Sequence, residues 1–155
     1  MNDPEKPHEA VLIRRYPHPV VRVFRAWSVP RHIEGWLRPS LECRLRVEVF
    51  DFREGGDFVF NYEWGDNASP VRGRFRTIVP EQTLVYSWSP QPPDPYAGRE
   101  TVVSVHFSAI ASGTEILIRH TLFPDRAMRD RHQAGWASAL DLLNTLFESD
   151  PQNFP

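Results

Sequence analysis

The residues of this chain best equipped for chemistry are two histidines, His120 and His132, and the rings that strand and helix spacing bring around them. In "TEILIRHTL" (114–122), His120 shares the parity of Ile116 and Ile118, which puts it on the apolar face of a strand. In "HQAGWASALDLLNTLF" (132–147), His132 lies one turn before Trp136, on the helix face that carries Ala139, Leu140, Leu143, Leu146 and Phe147. Imidazoles titrate near neutrality, so an inward pair suits a proton relay or the polar group of a ligand. A histidine so placed also serves as a hydrogen-bonded structural group. No third Cys, His, Asp or Glu stands at ligand spacing, and His8, His18, His32 and His106 are scattered, so no metal site is expected.

Other catalytic chemistry has little to stand on. Cys43 alternates with Leu41, Leu45 and Val47, where burial makes a thiol inert packing. Asp57 and Glu63 point outward by parity. No nucleophile elbow, phosphate loop or dinucleotide fingerprint is present, since "GGDF" enters a strand where phosphate loops enter a helix. No catalytic residues and no cofactor are expected.

The rings are the stronger signal. Phe58, Phe60, Tyr62 and Trp64 share one strand face, and Phe75, Tyr86 and Trp88 occupy the matching face of the next strands. Trp136 joins them from the long helix. With Trp36, His120, His132 and Leu140 they form the candidate lining of a ligand cavity, because aromatic walls with a few polar tips hold small apolar molecules. Close packing of the same rings into a solid core is the alternative.

The elements that position these residues follow from periodicity. "EAVLIRRY" (9–16) is a first strand; Val20, Val23, Phe24 and Trp27 mark a short helix, and a second runs from Pro30 to about Leu37. Alternating segments follow at 41–49, 57–64, 71–79, 83–88, 101–107 and 114–122, and a long amphipathic helix covers 125–148. Short turns at Gly55-Gly56 and Ala111-Ser112-Gly113 join antiparallel neighbours, so the last six strands form a meander that needs the long helix as cover. Gly135 inside that helix predicts close backbone approach where helix presses sheet. Arg72, Arg74 and Arg76 form an outward row, expected to be a solvated face paired with Glu63, Glu81 or Glu115.

The 155 residues make one domain, 9–148, with flexible ends at 1–8 and 149–155. A formal charge of -2 argues against nucleic acid and anionic membranes as partners. The single cysteine excludes an intrachain disulfide, and "MNDPEKPHEA" lacks an apolar leader core, so a cytoplasmic protein is expected. The proline-rich stretch "SPQPPDPYAG" (89–98) reads as the longest loop.

The ordered set "YPHPVVRVFRAWSVPRHIEGWL", "GGDFVF", "RFRTIVPEQTLVYSW", "TVVSVHF", "GTEILIRHTLF" and "HQAGWASALDLL" resembles the AHSA1-like branch of the SRPBCC superfamily, over about residues 9–148. That branch is named for the C-terminal domain of the activator of Hsp90 ATPase. Val29 departs from the family, which usually places an acidic residue before this proline. The resemblance implies an α+β helix-grip (Bet v 1/START-like) fold: a curved antiparallel sheet of about seven strands around a long C-terminal helix, with two short helices after the first strand. It also implies an interior cavity, which elsewhere in the superfamily takes lipids, sterols, polyketides or plant hormones. The expected function is binding or sensing of a small apolar or aromatic molecule, with a stress-response setting in view. A chaperone-associated interaction module with a protein partner is the alternative, though the chain has no room for the activator's separate N-terminal domain. A cyclase- or hydrolase-type enzyme ranks third. Monomer and homodimer both stay open.

Overall fold

Period-two alternation becomes seven strands and the three helical patterns become three helices in the computed structural model, which describes residues 8–149. Of the terminal segments expected to be flexible, only His8 and Ser149 lie within the described residues, where they begin a strand and end a helix. In chain order the elements are β1 (His8–Tyr16), α1 (Val20–Ser28), α2 (Pro30–Trp36), β2 (Arg44–Phe50), β3 (Asp57–Trp64), β4 (Asn67–Val79), β5 (Thr83–Pro90), β6 (Thr101–Ile110), β7 (Gly113–Phe123) and α3 (Arg126–Ser149).

The strands form one antiparallel sheet in the order β1-β7-β6-β5-β4-β3-β2. The meander from β2 to β7 is closed by β1, so the first two strands in sequence are the two edges, and α1 and α2 connect them. The sheet curves around α3, which packs on β1, β7 and α2. Tyr16 fastens the arrangement: its hydroxyl donates to the Leu140 carbonyl of α3 at 2.9 Å. Asp125 caps α3 by accepting the Met128 N–H at 2.8 Å. This is the helix-grip fold of the α+β class.

Three local expectations are corrected. Leu41 precedes β2 and is 72 % exposed, and Val49 is 45 % exposed. The physical reason for Val49 is a register shift between Val47 and Val49, which inverts parity and sends Phe50 toward the core in its place. The arginine row has other partners: Arg74 pairs with Asp57 at 3.1 Å and Arg76 with Glu100 at 2.5 Å, while Glu63 and Glu115 serve Arg46 and Arg15. At the other side of the bulge, α2 reaches β2 directly, the Val47 N–H donating to Glu34 Oε2 at 2.9 Å.

The middle of the sheet contains a close approach. Gly73 of β4 stands directly opposite Phe58 of β3, and the Phe58 ring lies over it. Beside it the Arg74 N–H leaves the ladder and donates to Ser87 Oγ of β5 at 2.9 Å.

Candidate functional site

His120 sits near the end of β7, wholly buried, facing α3. The Trp136 indole N–H donates to its Nδ1 at 3.1 Å, and its Nε2 lies 2.7 Å from Thr101 Oγ1. The Thr101 hydroxyl has one hydrogen, and donates it to the Trp88 carbonyl at 2.8 Å. It must therefore accept from His120, which assigns a neutral imidazole protonated at Nε2. Burial, reinforced by the neighbouring His132, holds the His120 pKa well below the ordinary histidine range. Both ring nitrogens of His120 are thus committed to a chain of hydrogen bonds linking α3, β7, β6 and β5.

His132 differs. Its Nδ1 bonds to the Met128 carbonyl one turn earlier at 2.9 Å, which fixes the proton there and leaves Nε2 with no hydrogen bond among the described residues. The rings of His132 and His120 are 5.1 Å apart, with Phe123 packed against both. Burial lowers the His132 pKa as well, with the Met128 carbonyl opposing.

The aromatic face divides into two parts. Its deeper part is packed: Phe58 meets Phe60 at 4.4 Å, Phe75 at 5.3 Å and Tyr86 at 5.6 Å between ring centres. These rings leave a void of only about 10 Å³, no more than one water. Trp36 and Leu140 are buried nearby, the Trp36 N–H donating to the Ala26 carbonyl at 2.9 Å.

The other part is open. A pocket of about 280 Å³ lies between the ends of β3, β4 and β5, the segment after α2, and the first half of α3. Of the candidate residues, Tyr62, Trp64, Trp88, His132 and Trp136 border it; Trp36, Phe58, Phe60, Phe75, Tyr86, His120 and Leu140 do not. Tyr62 shows only its ring to the pocket, for its hydroxyl donates to the Leu37 carbonyl at 2.9 Å. Trp88 is 7 % exposed, and its buried indole N–H has no acceptor among the described residues.

Sequence reasoning did not anticipate the charged rim, formed by Arg38, Asp94 and Arg131. Asp94 belongs to the proline-rich loop, and Arg131 of α3 ion-pairs with it at 3.0 Å. Arg131 also lies over the Tyr96 ring at 5.4 Å, and the Tyr96 hydroxyl donates to Asp125 at 3.1 Å. The loop is therefore latched to the start of α3 and forms one wall of the entrance.

Gly135 corrects a further expectation. A Cβ at this position would meet nothing nearer than Pro39, at 4.0 Å, so helix and sheet do not approach closely here. The glycine lines the pocket instead, and its missing side chain leaves the space. Gly135→Ala is expected to raise stability by about 0.5–1 kcal/mol, because helix propensity improves without a clash. Urea unfolding checks this, and a lower midpoint would contradict it. The glycine was the one signal in the sequence that could have located the pocket.

Cys43 is buried, and burial pushes its thiol pKa up, away from nucleophilic use. Among the described residues no group of three or more His, Cys, Asp or Glu is placed to hold a metal. No helix among them is long and apolar enough to cross a membrane.

The family model described as "Activator of Hsp90 ATPase homolog 1-like protein" matches residues 17–148. The chain belongs to this family. Solved structures with the same architecture include a protein from Chromobacterium violaceum, 23 % identical, covering 93 % of this chain and 100 % of that one with a TM-score of 0.82. An AHSA1 protein from Silicibacter pomeroyi is 21 % identical, with 91 % and 98 % of the two chains covered and a TM-score of 0.80. CalU16 from Micromonospora echinospora is 23 % identical over 96 % of this chain and 81 % of its own, with a TM-score of 0.68. At these identities the likeness concerns the fold. No curated protein sequence matches the chain.

Proposed function

We propose that this AHSA1-like protein binds a small apolar or aromatic molecule in the pocket between the sheet and α3. The observation that carries the reading is the division of the aromatic face. The deep rings close-pack, while Tyr62, Trp64, Trp88 and Trp136 stand around about 280 Å³ of space beside an unpaired indole N–H and an open imidazole nitrogen. Apolar walls with few polar atoms suit ligand capture better than bond-breaking chemistry, and no catalytic role is assigned to any residue. A cytoplasmic setting suits the single buried Cys43.

Mass spectrometry under native and then denaturing conditions tests the reading. A compound retained by the folded protein and released on unfolding is the expected result. Trp64→Ala provides the site control: Trp64 is 38 % exposed, so the fold tolerates its loss, and occupancy is expected to fall. Equal occupancy in the Trp64→Ala variant would reject this site. An empty protein that also fails to take up apolar compounds would favour the chaperone-associated role suggested by the family's description, to be sought by co-purification with Hsp90.

A further inference from the structure

We infer that the pocket's ligand is an organic anion, a carboxylate on an apolar or aromatic body, with Arg38 as its counter-ion. This rests on the ligand-binding reading above and adds the chemical class of the ligand.

The ionisable side chains lining the pocket, apart from the tyrosine, are Arg38, Asp94, Arg131 and His132. Asp94 and Arg131 neutralise each other across 3.0 Å. His132 is held toward its neutral form by burial. Tyr62 is buried with its hydroxyl bonded to Leu37, which keeps it protonated. Arg38 is left as the uncompensated charge.

Arg38 lies two residues past the end of α2, after Leu37, and Pro39 follows it. One guanidinium nitrogen donates to the Cys43 carbonyl at 3.0 Å, which anchors the side chain at the pocket wall. No carboxylate among the described residues pairs with it, and its buried Nε–H has no acceptor. Trp88 borders the same pocket, and its buried N–H is likewise without an acceptor among the described residues. Two donors with no acceptor among the described residues, one of them on a cationic side chain, fit a partner that is a hydrogen-bond acceptor carrying negative charge. The guanidinium fork matches a carboxylate in shape as well as in sign. The aromatic walls set the remainder of the molecule.

The test compares a naphthalene carboxylate with the matching naphthalene carboxamide, two probes of one shape that differ in charge. Calorimetric affinities are measured for the natural protein and for Arg38→Met and Arg38→Lys. The carboxylate is expected to bind the natural protein about tenfold or more tightly than the amide, the usual scale for a charge-assisted hydrogen bond. Arg38→Met should abolish that preference while amide binding persists, and Arg38→Lys should retain part of it. Persistence of amide binding in Arg38→Met also reports that the variant is folded. Equal affinity of the two probes, or a preference that survives Arg38→Met, overturns the anion inference and leaves ligand binding standing. Failure of both probes to bind the natural protein overturns both readings.

Discussion

Gly73→Ala is expected to destabilise the protein by about 3 kcal/mol, at the upper end of what overpacking a core does. A Cβ at position 73 would fall 2.0 Å from Phe58 Cζ and 2.2 Å from the Ser87 carbonyl oxygen. A ring can rotate away from the first contact. The second is backbone, so relieving it means displacing β5 from β4 at the point where the Arg74 N–H already departs from the ladder to reach Ser87 Oγ. The expected result is a large fall in the urea midpoint, and adding Phe58→Leu should restore only part of it. A Gly73→Ala protein as stable as the parent would mean that the strands separate here at little cost.

The second large effect concerns acid. His120 is buried and neutral in the native state, with its pKa held well below that of an exposed histidine near 6.5. The unfolded chain therefore takes up the proton first as pH falls, so the stability associated with a neutral His120 is present above about pH 6.5 and is lost progressively below it. The slope approaches ~1.4 kcal/mol per pH unit. His120→Gln removes this titration. At neutral pH it should lower stability by about 2 kcal/mol by disturbing the bonds to Trp136 and Thr101. Between about pH 6.5 and 5 the gap between parent and variant should narrow by about 2 kcal/mol. His132 faces His120 and titrates in both proteins, so it largely cancels in the comparison. A constant gap would mean that His120 takes up its proton as readily in the folded protein as in the unfolded chain.

Alternation made the sheet legible because each strand has one dry face, and β3 spans the very residues its pattern marks. It failed where the backbone departs from period two. The bulge in β2 exposes Val49, and Leu122, with a φ of 71°, turns the end of β7 so that Phe123 and not Leu122 reaches the core. The site was legible to a smaller degree, for a related reason. Parity names the face of a residue but not its depth along the curved sheet, so Phe58 and Tyr62 look equivalent in sequence although one is in packed core and the other borders the pocket. Arg38 and Asp94 come from irregular segments with no period to read. For His120, parity indicates burial, but only three-dimensional partners reveal that its nitrogens are both occupied.

The contact between Glu34 and the Val47 N–H bears on how copies of this chain meet. An edge strand with free N–H groups invites another strand to extend the sheet. At β2 the invitation is withdrawn: a bulge bends the strand, a carboxylate from α2 occupies one of its donors, and Arg44, Arg46 and Glu48 place charge along it. Strand-to-strand growth is thereby discouraged at this edge, which protects against aggregation the strand that follows the segment bearing Arg38.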